Sequence, residues 1–207
     1  FCHFVTVLSD PDRSFALDHV PAAQRDGMAA LWALDEHLGQ LVASTTQPLL
    51  GQMRLLWWRE ALETGARGHP VLEAMTSLRT AGIDARALGI VIDGWEELLE
   101  PLPLGDDQLA RYAAFRGGQL FALSARLLMG VCPESSGAAW ALADFGLRCS
   151  DPGTSARALE MARVHLSAAD LQKTPRPLRI LVRLARNDIV AGRRTARTPW
   201  RLLRSIA

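Results

Sequence analysis

Cysteine is scarce in this 207-residue chain: Cys2, Cys132 and Cys149 lie far apart, with no CxxC pair. That spacing excludes a disulfide framework and a zinc knuckle, and it fits a reducing compartment. No apolar run approaches the roughly 20 residues that a bilayer-spanning helix needs. There is no Gly-rich phosphate loop of the GxGxxG or GxxxxGK kind and no GxSxG elbow, so neither nucleotide-binding nor serine-hydrolase chemistry is signalled. The five histidines show no HExxH spacing. Net charge is nearly absent as well: 23 basic residues against 22 acidic give +1, with 49% hydrophobic residues. This balance excludes a disordered chain and argues against a nucleic-acid partner. Phe1 is not a natural start, so a few preceding residues are expected, and nothing present reads as a secretion signal.

What is there is helical periodicity. Met28, Leu31, Trp32, Leu34, Leu38, Leu41 and Val42 recur at three- and four-residue spacing, which predicts a helix over 22–43 behind Pro21. A second helix is expected over 48–64, ended by Gly65 and Gly68, and His69–Pro70 opens a short third. Asp84 caps the next, which Pro101 and Pro103 stop. One long helix is expected from Asp106 or Asp107 to about Val131, with further helices over 135–148, 155–171, 177–190 and 199–206. No strand-like alternation persists and no internal repeat is present. The expectation is an all-α fold and a single domain over 1–207.

The near-zero charge conceals a split. From Lys173 to Ala207 there are ten basic residues against the single acid Asp188, a net +9. Residues 1–172 therefore carry −8, and the basic 173–207 segment points to an acidic partner or an anionic surface. Asp35, Glu36 and His37 are consecutive and point around a helix in different directions, so they read as a solvated polar face. Glu96, Glu97 and Glu100 have the spacing to share a helix face, which reads as a solvated acidic face or, in the sharper alternative, as a holder of Mg²⁺ with a diphosphate. Trp57 and Trp58 could line an apolar cavity or fill the core.

Larger patterns carry a resemblance. Arg13-Ser14-Phe15, Val20-Pro21 with Arg25, and Ala30-Leu31-Trp32-Ala33-Leu34 resemble the opening of the squalene/phytoene synthase family. Gly51-Gln52-Met53-Arg54-Leu55-Leu56-Trp57-Trp58-Arg59-Glu60-Ala61-Leu62 is similar to that family's "G.IRLQWWRDAL" segment, and His69-Pro70-Val71 to its "HPV". Weaker landmarks are Ile92–Trp95, Tyr112, Gly117-Gly118 and Pro175–Leu178. The resemblance implies the isoprenoid synthase helical bundle around an apolar cavity. It also implies head-to-head condensation of prenyl diphosphates, with two aspartate-rich motifs holding Mg²⁺ to neutralise the leaving diphosphate.

The motif positions have lost their acids. The first reads Gly39-Gln40-Leu41-Val42-Ala43 and the second follows Phe145–Arg148 as Cys149-Ser150-Asp151-Pro152-Gly153. The carboxylate positions are thus Gly39, Gln40, Ala43, Cys149 and Gly153, and the second half of the fold is shortened after Asp151. A similar loss marks the family branch of complex I assembly factors, which this chain resembles in Gly51–Trp58 and in Tyr112–Gly130. The resemblance implies a non-catalytic binding or assembly factor, cytoplasmic and peripheral at the inner membrane. Its expected partners are a prenyl diphosphate or lipid ligand, an anionic membrane surface and a protein; no cofactor and no metal are expected. The alternative is a working prenyltransferase with Mg²⁺. Seven residues are the candidate ligand-binding set: if the chain is active, Arg13, Ser14, Arg25 and Arg54 would be the diphosphate-side residues, and Trp57, Trp58 and Tyr112 the cavity lining. In the basic segment, Leu178, Ile180, Leu181, Leu184 and Ile189 form a stripe that meets either a membrane or the bundle, and Trp200–Ile206 forms a second.

Overall fold

The computed structural model describes residues 8–195. Among the described residues every regular element is helical. The first, α1 (Pro11–Leu17), was not expected. Its signal is Asp10–Pro11: the Asp10 carboxylate caps the amides of Asp12 and Arg13, and proline at the first position costs no hydrogen bond. Helices α2 (Ala22–Ala43) and α3 (Pro48–Thr64) start and end where the sequence places them, and the short α4 (Pro70–Thr80) starts at the expected Pro70. Gly65 ends α3 at φ 68°, a left-handed backbone that glycine reaches without steric cost.

Helix α5 (Ala85–Glu96) is capped by Asp84 and tightens into a 3₁₀ turn at Glu97–Leu99 before Pro101. Glu96, Glu97 and Glu100 therefore do not share a helix face. Glu97 is held by Arg111 through two hydrogen bonds of 2.6 and 2.9 Å, and Glu100 is exposed beyond the turn. These carboxylates form no metal-binding group among the described residues.

The single long helix expected from 106 is three pieces. α6 (Asp106–Tyr112) passes into one turn of π-helix at Ala113–Gly118, and α7 (Gln119–Leu127) follows. The widened turn lies where the chain is wedged against α8 (Glu134–Gly146). A Cβ on Gly117 would stand 2.3 Å from the Gly137 carbonyl oxygen, and one on Gly137 would stand 2.1 Å from that of Gly117. Only glycine at both positions lets the two backbones approach this closely. The extra residue of a π-turn turns the Arg116 side chain inward, where it is fully buried.

Helix α9 (Pro152–Ala168) is capped by Asp151, and α10 (Arg176–Ala191) closes the bundle against α8 and α1. Leu178, Ile180, Leu181, Leu184 and Ile189 are all buried in the common core. Their stripe answers the bundle and is not available to a membrane, because α10 must cover the apolar faces of α7 and α8. The expected 199–206 helix lies outside the described residues. No helix among the described residues is long and apolar enough to cross a membrane.

Candidate functional site

Asp35 is the centre of the molecule's polar interior. It falls on the stripe Met28, Leu31, Trp32, Leu38 of α2, all buried, and is itself fully inaccessible. The expected solvated face is therefore wrong for Asp35: a one-residue step along a helix separates it from Glu36, which faces the rim. The burial is supported because both carboxylate oxygens are saturated. Oδ1 accepts from Trp95 Nε1 at 2.7 Å and Arg116 Nε at 3.1 Å. Oδ2 accepts from Arg116 Nη2 at 3.1 Å and from Arg13 Nη2.

Arg116 carries the network outward. Its Nη2 also reaches Asp144 Oδ2 at 3.1 Å, and its Nη1 donates to the Tyr112 hydroxyl. The guanidinium lies 4.1 Å from the Trp95 ring centre and 4.7 Å from that of Trp140, so aromatic faces cover the charge that the carboxylates do not. Asp144 then accepts from Arg148 and Arg194 at 3.0 Å, and Arg194 spans to Asp10 and Asp12 at 3.3 and 3.2 Å. The arginines of the basic C-terminal segment thus include at least one, Arg194, that neutralises acids of the body.

Electrostatics follow from this pairing. Burial opposes ionisation of Asp35, but the Arg116 and Arg13 guanidiniums and their hydrogen bonds outweigh it and hold the carboxyl at about 2. Burial likewise works against the Arg116 charge, and Asp35, Tyr112 and Asp144 overcompensate, so its pKa lies above that of a free guanidinium. Burial pushes the Tyr112 phenol up, leaving it a neutral hydroxyl. Asp35 and Arg116 are therefore an ion pair at neutral pH.

Over this network opens a cavity of about 690 Å³. Its polar wall is Arg13, Asp35, Arg116, Asp144 and Arg148, and its apolar wall includes Val42, Trp95, Leu98, Leu102, Leu104 and Phe145. Gly39, Gln40 and Ala43 line it from α2, and Cys149 and Ser150 line it from the end of α8. The fold thus brings the two degenerate motif positions into one chamber. At Gly39 there is no room for a side chain: a Cβ would stand 2.7 Å from Trp95 Cη2. Gly153 sits instead in the first turn of α9, outside the cavity lining.

The sequence-predicted residues divide. Arg13 and Tyr112 are in the cavity wall. Ser14 turns its hydroxyl to the Leu8 carbonyl at 3.3 Å, and Arg25 is exposed with Nη2 on the Val20 carbonyl at 3.1 Å. Neither enters the cavity. Arg54, Trp57 and Trp58 border a separate surface groove of about 480 Å³. Trp58 is a core residue whose ring packs against His37 and His69, with centroids at 4.5 and 4.9 Å, whereas Trp57 is half-exposed.

The residues do not fit a Mg²⁺-diphosphate site. Asp10, Asp12, Asp35 and Asp144 already face four arginines, and Glu36 is taken by the Ser9 amide and hydroxyl and the Asp10 amide. Among the described residues no group of three His, Cys, Asp or Glu side chains could hold a metal ion. Magnesium binds through free carboxylate oxygens and water in near-ideal octahedra, and these oxygens are already bonded.

No curated protein and no solved structure matches the chain. The squalene/phytoene synthase family profile matches residues 8–149, the stretch that supplies the first degenerate motif, Cys149 of the second and nearly the whole cavity wall. With its all-α bundle, the chain belongs to the squalene/phytoene synthase family and has its isoprenoid synthase fold.

Proposed function

We propose that this chain is a non-catalytic member of the family, a binding or assembly factor for respiratory complex I that works at a membrane surface. The observation that carries the reading is the Trp95 ring against Gly39, which fills the place from which the first motif's leading carboxylate would act. Ionising a prenyl diphosphate builds negative charge on the leaving group, and that charge needs metal or free cationic donors at the moment of bond cleavage. Here the guanidiniums at the cavity are already matched by aspartates.

The cavity suits a ligand with a polar head and an apolar tail: Arg148 lies at its rim, and Leu98, Leu102 and Leu104 line one side. A prenyl or other lipid chain has that chemistry. The link to complex I assembly rests on the likeness to that branch in Gly51–Trp58 and Tyr112–Gly130. No cofactor enters this reading; Mg²⁺ belongs only to the alternative, a prenyltransferase that condenses prenyl diphosphates.

The test is incubation with farnesyl or geranylgeranyl diphosphate, with and without Mg²⁺. The expected result is no release of diphosphate, with chain binding visible as quenching of tryptophan fluorescence and indifferent to Mg²⁺. Diphosphate release that requires Mg²⁺ and is lost in Arg148→Gln would establish the prenyltransferase instead. In cells, removal of the chain is expected to leave complex I partly assembled on native gels.

A further inference from the structure

Helix α3 is apolar on both sides. Leu55, Trp58, Ala61 and Leu62 face the core, while Leu49, Leu50, Met53, Leu56 and Trp57 point outward with exposures of 68, 45, 60, 54 and 50%. At about 100° per residue the outward five span an arc of roughly 120° centred on Met53. A contiguous patch of this kind, on the order of 500 Å², is at the upper end of what monomers leave uncovered.

The order of the outward residues is symmetric. Met53 stands at the centre, Leu50 and Leu56 lie three residues to either side of it, and Leu49 and Trp57 lie four residues to either side. An antiparallel copy of α3 related by a two-fold axis through Met53 would set Leu49 against Trp57, Leu50 against Leu56, and Met53 against Met53. Self-complementarity of this sort is what an isologous contact requires, and a different partner does not require it.

Charge agrees with the same register. The N-terminus of α3 has no side-chain cap and no acid in its first turn. Its exposed Glu60 continues the stripe one turn beyond Trp57 and forms no ion pair among the described residues. The two-fold operation about Met53 lays Glu60 beside Thr46 of the other copy, at that uncapped, positive helix end.

We propose that the outward face of α3 is the homodimer interface of this protein, with the two α3 helices antiparallel and Met53 on the two-fold axis. The paired stripes bury about 1,000 Å², near the lower limit for a specific interface, so the dimer is concentration-dependent.

Sedimentation equilibrium of the full chain tests the interface. The expected result is a monomer–dimer equilibrium in the micromolar range, weakened at least 30-fold by Met53→Asp, which sets two carboxylates against each other on the axis. Circular dichroism of that variant should be unchanged, because the side chain is exposed. Register is tested by oxidative cross-linking: Met53→Cys should give a covalent dimer, Gln52→Cys should not, and Leu49→Cys mixed with Trp57→Cys should cross-link better than either alone. Three results would each overturn the proposal: a monomer at all concentrations, a dimer indifferent to Met53→Asp, or efficient cross-linking through Gln52→Cys. Met53-dependent binding to neutral lipid vesicles by a chain that stays monomeric would assign the face to a membrane instead.

Discussion

The indole of Trp95 lies against Gly39 and donates its Nε1–H to Asp35 Oδ1 at 2.7 Å. One side chain thus does two things: it occupies the space next to the first motif position and stabilises a buried carboxylate one turn earlier on the same helix. The polar interior has moved from the motif positions to Asp35, and its charge is balanced by arginine.

Restoring the lost acid alone is therefore expected to fail. Gly39→Asp forces a side chain into the Trp95 ring and should destabilise the protein by about 1–3 kcal/mol, read as a fall in the urea midpoint at unchanged m-value. Trp95→Ala in the same chain should remove the clash without recovering full stability, because Asp35 then loses a donor and a large ring leaves a void. Wild-type stability in Gly39→Asp would show that Trp95 swings aside.

Asp35 sets a pH dependence whose sign is fixed. Its folded pKa, about 2, is below the ordinary carboxylate value, so the pair stabilises the fold above pH ~4 and that contribution is lost as pH falls from ~4 towards 2. The loss is on the order of 2 kcal/mol, and Asp10, whose carboxyl is also lowered against burial by Arg194 and Arg13, adds in the same window. His37 acts earlier: burial and the neighbouring His69 lower its pKa, so its contribution is present above pH ~6.5 and declines below it. Asp35→Asn should cost about 3–5 kcal/mol at pH 7, because Arg13 stays buried without its carboxylate and Arg116 keeps only Asp144, and should flatten the acid limb of the profile. Chemical denaturation at stepped pH measures both, and an unaltered acid limb in Asp35→Asn would contradict this account.

Much of this was legible in the sequence, and the failures have physical causes. Apolar periodicity places α2, α3, α5 and α10, because each buries one stripe against the bundle. The π-turn was not legible: Gly117-Gly118 weakens the helix locally but does not specify a widened turn, which coincides with the tertiary contact of Gly117 with Gly137. Asp35 was legible and misread. It lies at the i+4 position from Leu31 and three before Leu38, in the centre of the buried stripe, but adjacent Glu36 and His37 made it look like part of a polar face. Its partners Trp95 and Arg116 are far away in the chain, so no local pattern could join them.

The Gly117–Gly137 crossing gives a prediction independent of charge. Gly137→Ala puts a methyl group into a backbone carbonyl and should destabilise by about 3 kcal/mol or more, since neither helix backbone can yield without disturbing Arg116. Gly130→Ala, where the added Cβ would lie 3.5 Å from Pro175 Cγ, serves as the tolerant control. Thermal unfolding of the two variants compares them directly, and equal melting temperatures would show that the π-turn has slack.

The outward side of α10 leaves a weaker surface reading open to measurement. Its apolar stripe is used internally, but Arg176, Arg186 and Arg193 are exposed, and Arg176 and Arg186 have no carboxylate partner among the described residues. Burial and the like charges of Arg179 and Arg186 lower the pKa of Arg183, so positive charge is concentrated along this side of the helix. A basic face of this kind binds anionic headgroups with about 1 kcal/mol per residue at low salt and fades within a Debye length. Co-sedimentation with vesicles containing anionic lipid should therefore weaken steeply between low and physiological salt. Arg176→Glu with Arg186→Glu should lower binding by roughly 30-fold at least, the equivalent of about 2 kcal/mol. The fold should be unaffected, since both side chains are solvated. Binding that ignores salt, lipid charge and this double reversal would place any membrane contact elsewhere on the molecule.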